Sequence, residues 1–292
     1  MALARLEQAP DASDTLELLD AAWEKPRAHT VGLTGPPGVG KSTLAGALIR
    51  CWRKDGLTVG VIAVDPSSRR SGGALLGDRT RLRTDPDDAG VFIRSMAARD
   101  RLGGLADLTL GAMVLMRALF DRVLVETVGV GQSETDVADT TDTVLFCVQP
   151  GSGDSLQFMK AGIVEVPDIV AVTKADLGAT AERARHDVAG AITLAADAGG
   201  GTDAWPVPVL AVSAQTGDGL DALVSALAAH AAWLGTADRL AARRRAQADT
   251  WRRAFVRERF GQDGLKRMAE IEYPDNASPF RMAAALAKRS NG

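Results

Sequence analysis

Continuous apolar runs alternate with amphipathic stretches along most of the chain from Thr30 onward. Runs rich in valine, leucine and alanine are typical of parallel strands that are buried on both faces of a sheet. The stretches between them repeat their apolar residues at helical spacing. Strands are predicted at 30–34, 58–65, 90–94, 122–126, 143–149, 168–173 and 208–213, and helices at 41–55, 103–119, 154–164, 180–198 and 218–234. This order predicts an α/β fold: a doubly wound, mostly parallel sheet with right-handed crossovers.

Helical stretches precede and follow this alternating pattern. Leu16, Leu19 and Trp23 lie at amphipathic spacing, and Pro26 ends that segment. A charged helix is predicted over 237–260, a break at Gly261–Gly264, a second helix over 263–272 and a closing helix over 280–289. The sequence therefore predicts a helical extension at 1–28, a main domain at 29–235 and a C-terminal helical region at 236–292.

Composition narrows the class of protein. A formal net charge of −3 and a pI near 5.7 argue against nucleic acid as the main partner. The basic run Arg243–Arg245 is expected to lie on a solvated helix face. Cys51 and Cys147 are isolated, a pattern typical of a reduced protein and of neither a disulfide framework nor a metal cage. Because we find no signal peptide and no apolar run of roughly 20 residues, we expect a cytoplasmic protein without a membrane span.

A complete G-x-x-x-x-G-K-[ST] motif follows the first predicted strand and opens the first helix of the main domain. Such a loop directs backbone N–H groups at phosphate oxygens, and the helix N-terminus favours the anion. Lys41 can reach the β- and γ-phosphates, and the Ser42 hydroxyl can bind Mg²⁺. The predicted phosphate-binding residues are Gly35, Pro36, Pro37, Gly38, Val39, Gly40, Lys41, Ser42 and Thr43.

Acidic residues end two strands that are predicted beside this loop. Asp65 and Glu126 stand where Mg²⁺ on bound phosphates would need an oxygen ligand, so both are predicted to serve the metal together with Ser42. The alternatives are a helix cap for Asp65 and a structural ion pair for Glu126. Gly129 lets a backbone N–H approach the γ-phosphate closely. The spacing leaves the role of Asp78, in a glycine-rich charged stretch, undecided.

A K-x-D motif at the end of a later strand indicates the base of the nucleotide. The Asp176 carboxylate can accept two hydrogen bonds from N1–H and the N2 amine of guanine, while the stem of Lys174 covers the ring. Adenine has no such pair of donors, so the motif favours GTP. Backbone N–H groups of Ser213, Ala214 and Gln215, after the last strand, are predicted to meet the guanine oxygen.

Two of these motifs resemble the MeaB/ArgK/MMAA group of SIMIBI-class P-loop GTPases: Glu126-Thr-Val-Gly-Val-Gly-Gln-Ser-Glu134 and Val64-Asp-Pro-Ser-Ser68. Members of the group are chaperones of adenosylcobalamin-dependent acyl-CoA mutases, chiefly methylmalonyl-CoA mutase. Some carry an older label as transport-system kinases. The resemblance covers about residues 15–235 strongly and the C-terminal helices weakly.

The resemblance implies roles for the residues that match it. Lys41 and Glu126 would act in catalysis, and Asp65, Asp78 and Glu126 resemble the acidic residues around Mg²⁺. The stretch from Pro150 to Gly162 resembles a third switch loop, which a partner mutase repositions to stimulate hydrolysis. Asp154 and Lys160 match the charged positions of that loop. The resemblance also implies a homodimer formed through C-terminal helical arms.

The base motif departs from the family at one position, because Thr173 stands where the group usually has asparagine. Threonine keeps a hydroxyl but lacks the amide that would bridge base and loop, a loss of about 1–3 kcal/mol. We therefore predict a Mg²⁺-dependent GTPase that gates adenosylcobalamin loading and protection of an acyl-CoA mutase. The alternatives are a GTPase that delivers nickel or zinc, for which a Cys/His cluster would be needed, and a kinase, for which an acceptor pocket would be needed.

Overall fold

A parallel sheet of seven strands forms the centre of the protein. The computed structural model describes residues 2–65, 82, 84–85, 87–97, 107–127, 137–151, 166–199, 204–270 and 278–281. The strands are β1 (His29–Thr34), β2 (Val59–Asp65), β3 (Val91–Ala97), β4 (Arg122–Glu126), β5 (Thr143–Val148), β6 (Ile169–Thr173) and β7 (Val209–Val212). They lie in the order β3-β2-β4-β1-β5-β6-β7, and the described neighbours pair in parallel. The predicted fold class is confirmed.

Helices cover both faces of the sheet. They are α1 (Ala2–Gln8), α2 (Ser13–Glu24), α3 (Lys41–Lys54), α4 (Asp107–Leu119), α5 (Ala179–Gly199), α6 (Leu220–Leu234) and α7 (Arg239–Ala269). Helices α3 and α6 pack on one face. On the other face, α4 packs on β2 and β4 with α2 and α7 outside it, and α5 packs on β5 and β6. Adjacent strand residues such as Val123 and Leu124 enter opposite cores, because side chains alternate along a strand.

Strand β3 is longer than the predicted strand at 90–94. Strand β3 continues to Ala97, where it pairs with Asp65 at the end of β2. The predicted break between the two C-terminal helical segments is confirmed: α7 is interrupted at Gly261, where the backbone is non-helical (φ 62°, ψ −156°). The predicted helix at 154–164 lies outside the described residues, and so does most of the one at 280–289.

Helix α7 is attached to the amino ends of the strands, opposite the predicted nucleotide edge. Arg243 forms two hydrogen bonds with Asp168, of 2.9 and 3.0 Å, just before β6. Arg244 forms two with Asp142, of 2.7 and 2.8 Å, just before β5. The expectation that Arg243–Arg245 forms a solvated face is therefore wrong for Arg243 and Arg244, whose charges are used inside the fold.

Asp142 is fully buried, and its charge is stabilised by its neighbours. Burial alone would raise the pKa of this carboxyl group, but hydrogen bonds from Arg244 lower it well below its usual range. The Thr30 backbone N–H also donates to Asp142, over 2.8 Å. The same carboxylate thus connects the first strand of the sheet to α7.

Two histidines that are distant in sequence meet beside this ion pair. The Thr143 hydroxyl lies 2.6 Å from His29 Nε2 and 2.7 Å from His230 Nδ1. Burial lowers the pKa of His29 to about 4, although Asp142 opposes the shift. Both imidazoles are therefore structural groups on the side of the sheet away from the phosphate loop.

Among the described residues, no single helix has the length and apolar character needed to cross a membrane. Helices α6 and α7 satisfy that test only when taken together, and they meet at a bend of 85°.

Candidate nucleotide site

The phosphate loop connects β1 directly to α3, as the motif predicts. Gly35, Gly38 and Gly40 all have positive φ, at 131°, 77° and 101°, which residues with a side chain rarely adopt. Gly35 also lies against β5: a Cβ atom there would be 2.2 Å from the Cys147 carbonyl oxygen. Gly35 is required by both the lack of space and the backbone conformation, whereas Gly38 and Gly40 are required by the backbone conformation alone.

Lys41, the first residue of α3, folds back over this loop. Its Nζ donates to the carbonyl oxygens of Gly35, over 2.7 Å, and Pro36, over 3.0 Å. The side chain is 6% exposed, so the ammonium group is held within the loop and not in bulk solvent. A positive charge placed inside a curved run of backbone N–H groups suits a polyphosphate anion.

Ser42 meets Glu126 beside Lys41. The Ser42 hydroxyl donates to Glu126 Oε1 over 2.5 Å, which joins the first turn of α3 to the end of β4. A hydroxyl and a carboxylate at the edge of a phosphate loop are hard oxygen ligands of the kind that Mg²⁺ uses together with phosphates and water. Ser42 and Glu126 are therefore suitable as the one or two protein ligands that a phosphate-bound Mg²⁺ ion usually has.

Strand β2 brings Asp65 to the same edge of the sheet. Ala63 pairs with Glu126, and Asp65 stands two residues further along β2. Its side chain lies outside the description, so its metal role stays a prediction. Asp78, Gly129, Asp154 and Lys160 lie wholly outside the described residues, and their predicted roles are likewise untested.

Thr127 fixes the beginning of the segment that follows Glu126. Its backbone N–H donates to the Leu33 carbonyl over 3.0 Å, and its hydroxyl donates to Thr34 Oγ1 over 3.1 Å. These bonds connect the end of β4 to the end of β1, one residue before the phosphate loop. The sequence analysis missed this connection, because two threonines more than ninety residues apart carry no recognisable spacing.

Thr173 contacts the phosphate loop itself. Its hydroxyl lies 2.7 Å from the Val39 carbonyl oxygen and 3.0 Å from the Val148 carbonyl oxygen, and the residue is 5% exposed. The hydroxyl that remains in place of the usual asparagine amide thus supplies a bridge from β6 to the loop. What threonine cannot supply is a further amide group for the base.

Lys174 and Asp176 follow Thr173 at the carboxyl edge of the sheet. Lys174 adopts the left-handed conformation, with φ 57° and ψ 44°, before a short 3₁₀ turn at Ala175–Leu177. Its ammonium group donates to Gln149 Oε1, over 2.6 Å, just after β5. Asp176 Oδ1 accepts a hydrogen bond from the Ser213 hydroxyl over 2.7 Å. The predicted base-reading residues are therefore brought together.

The loop after β7 differs in one detail from its predicted role. The Ser213 backbone N–H already donates to the Asp218 carbonyl, over 2.8 Å, and its hydroxyl accepts from the Thr216 N–H over 3.2 Å. Ser213 therefore supports Asp176 through its side chain. Ala214 and Gln215 remain the candidates for N–H groups that meet the base.

Comparison with known proteins agrees with this geometry. The family model described as "Methylmalonyl Co-A mutase-associated GTPase MeaB" matches residues 1–269. The chain belongs to the MeaB family of GTPases. A putative GTPase of Pyrococcus horikoshii is 46% identical over 223 residues, which cover 75% of this chain and 68% of the relative. This MeaB-family chain is therefore a guanine-nucleotide-binding enzyme that hydrolyses GTP.

Two further similarities extend over most of the chain. The mitochondrial "methylmalonic aciduria type A homolog" of Mus musculus is 37% identical over 237 residues, covering 80% of this chain and 56% of the mouse protein. A solved structure described as a "LAO/AO transport system kinase" superposes with a TM-score of 0.68 and 26% identity, covering 100% of this chain and 92% of that one. The MeaB-family chain shares the P-loop GTPase architecture with this structure.

Proposed function

We propose that this GTPase uses GTP hydrolysis to gate the loading and protection of adenosylcobalamin in an acyl-CoA mutase. Methylmalonyl-CoA mutase is the first candidate partner. The observation that carries the proposal is the match of the mutase-associated GTPase family over residues 1–269. The name of the mouse relative, which refers to methylmalonic aciduria, is consistent with the proposal.

The contacts of Lys41 support its proposed role in charge stabilisation. Its ammonium group is hydrogen-bonded to the Gly35 and Pro36 carbonyl oxygens. Phosphate oxygens of GTP would replace those carbonyls as hydrogen-bond acceptors, and the ammonium group would stay within the loop when its partners change. The largest effect of such a preorganised cation is expected where negative charge develops during phosphoryl transfer.

Ser42 and Glu126 are the residues proposed to hold Mg²⁺, with Asp65 beside them. When bound, Mg²⁺ would neutralise charge on the phosphate oxygens. Ser42 Oγ and Glu126 Oε1 are 2.5 Å apart, so both oxygens lie where one Mg²⁺ ion could contact them. Glu126 also fixes the direction of the Ser42 hydroxyl by accepting its hydrogen bond.

Lys174 and Asp176 are the residues proposed to select guanine. The hydroxyl of Ser213 orients one oxygen of the Asp176 carboxylate. An oriented carboxylate can accept from the two guanine donors, and it rejects bases that leave it without donors. Asp176→Asn is therefore expected to weaken GDP binding and to improve binding of xanthosine diphosphate, which has a carbonyl where guanine has its amine.

Hydrolysis coupled to a mutase can be separated from phosphate transfer by following the labelled γ-phosphate of GTP. We expect label in free phosphate, and none on a protein or small-molecule acceptor. Label that accumulates on an acceptor without free phosphate would favour a kinase and overturn the proposal. Lys41→Ala serves as the control, because it removes the cation common to both reactions.

The chaperone role is tested by transfer of adenosylcobalamin to the apo-mutase, followed through the cobalamin absorbance. We expect the amount or order of loading to depend on whether GTP, GDP or a non-hydrolysable GTP analogue is bound. Loading that is the same in all three states and without the GTPase would contradict the proposal. The homodimer implied by the family resemblance is a separate proposal, which sedimentation of the full chain would test.

A further inference from the structure

The end of β5 contacts the base motif through a residue that the sequence analysis did not assign. Val148, the last residue of β5, pairs with Val172 of β6, so Gln149 and Thr173 come next on the two strands. Gln149 Oε1 accepts a hydrogen bond from Lys174 Nζ over 2.6 Å. The side chain of Gln149 is half-buried, whereas Lys174 is exposed.

Lys174 needs such a partner because its position alone does not determine where its long side chain lies. A lysine side chain has about 2 kcal/mol of rotamer entropy, which must be lost when its stem covers a base. The left-handed backbone at Lys174 fixes the direction of the Cα–Cβ bond. The hydrogen bond to Gln149 fixes the far end, so backbone and ammonium group together define the path of the stem.

The neighbouring contacts hold Gln149 in register with the rest of the site. The Thr173 hydroxyl bridges the Val148 and Val39 carbonyls, which lie on β5 and in the phosphate loop. Gly35 also lies close to β5, because a Cβ atom there would be 2.2 Å from the Cys147 carbonyl oxygen. These two contacts of β5 with the phosphate loop, at Val148 and at Cys147, fix the position of Gln149 relative to that loop.

We propose that Gln149 is a positioning residue for guanine-nucleotide binding, and that it preorganises Lys174 by accepting its ammonium hydrogen bond. The inference rests on the proposed role of Lys174 and Asp176 in reading the base. Gln149 is bound to the base motif through Lys174, so its expected effect is on affinity and KM, with the turnover number of the saturated enzyme retained. Because the stem covers the ring face, GDP and IDP are affected equally.

The test is a double-mutant cycle on the full chain, with GDP and IDP affinities measured by calorimetry. Gln149→Met, which keeps the length but removes the acceptor, should raise the Kd of both nucleotides roughly two- to tenfold, the effect of one solvent-accessible hydrogen bond. Gln149→Glu keeps an acceptor and should restore wild-type affinity. Gln262→Met, at an exposed position of α7, is the matched control and should change nothing.

The background variant Lys174→Ala decides between the possible results. If Gln149 acts through Lys174, Gln149→Met has no further effect in that background, since the donor is gone. If the two substitutions instead multiply, Gln149 does not act through Lys174 and the inference is wrong. If Lys174→Ala leaves GDP affinity unchanged, the base-reading assignment itself is wrong and the inference falls with it. Thermal unfolding of each variant separates these results from loss of the fold.

Discussion

Thr173→Val removes one hydroxyl from the centre of the nucleotide site and leaves a side chain of similar volume. Thr173 is 5% exposed, and its hydroxyl lies 2.7 Å from the Val39 carbonyl and 3.0 Å from the Val148 carbonyl. A hydroxyl has one proton, so it donates to one of these oxygens at a time, and the shorter distance favours Val39. Valine leaves that buried carbonyl without this donor, at a cost of about 1–3 kcal/mol.

The loss of this hydrogen bond should affect both the stability of the fold and the affinity for GDP. Because the bond joins two parts of the folded chain, the free energy of unfolding should fall by about 1–3 kcal/mol. Val39 also belongs to the loop whose N–H groups are predicted to meet the phosphates, so GDP affinity should fall by up to about tenfold. The preference for GDP over IDP should not change, since Asp176 and its bond to Ser213 are intact.

Denaturant unfolding and GDP titration measure the two parts. Thr193→Val is the matched control, because the Thr193 hydroxyl donates to a helix carbonyl on the exposed surface of α5. Thr173→Asn, which restores the usual family residue, should lower the Kd of GDP by about fivefold or more if its amide bridges base and loop. Wild-type stability and affinity in Thr173→Val would refute the bridge from β6 to the phosphate loop.

Three further predictions follow from other contacts. Ser42→Ala and Glu126→Gln should each raise the Mg²⁺ concentration for half-maximal GTP turnover by roughly tenfold, and leave GDP affinity in chelator unchanged; an unaltered Mg²⁺ titration would contradict the site. Gly35→Ala should lower the thermal unfolding temperature and abolish GDP binding, because its Cβ would be 2.2 Å from the Cys147 oxygen at φ 131°. Since burial lowers the pKa of His29 from 6.5 to about 4, the unfolded state binds the extra proton between these values, and stability should fall by about 3 kcal/mol as pH drops through that range. In denaturant unfolding, His29→Gln should remove this part of the dependence of stability on pH. An unchanged dependence in the variant would disprove the role of His29.

The positions of the strands and helices along the chain, and the fold class, could be predicted because their signals are local. Buried strands such as β1 and β5 are continuous apolar runs, and the glycine loop before α3 has a recognisable spacing. The break at Gly261 was also visible, since glycine favours a backbone that helices exclude. Each of these features depends on residues within a few positions of one another.

Contacts across long sequence distances could not be predicted in the same way. Arg244 and Asp142 are 102 residues apart, and a basic run on a helix is more often solvated than buried. His29 and His230 are about two hundred residues apart, yet a ring nitrogen of each lies within 2.7 Å of the Thr143 hydroxyl oxygen. At the nucleotide site, the contacts of Thr173 with Val39 and of Gln149 with Lys174 are of the same kind. They depend on strand order, which the apolar pattern does not encode.

The central claim is that this MeaB-family GTPase works on an acyl-CoA mutase. Its most direct test is the rate of GTP hydrolysis by the full chain, measured with increasing amounts of methylmalonyl-CoA mutase. The account predicts that the rate of GTP hydrolysis rises with mutase concentration until it saturates. Lys41→Ala should abolish hydrolysis both with and without mutase. A rate that is the same with and without mutase, while the two proteins are shown to be folded and active, would contradict the account.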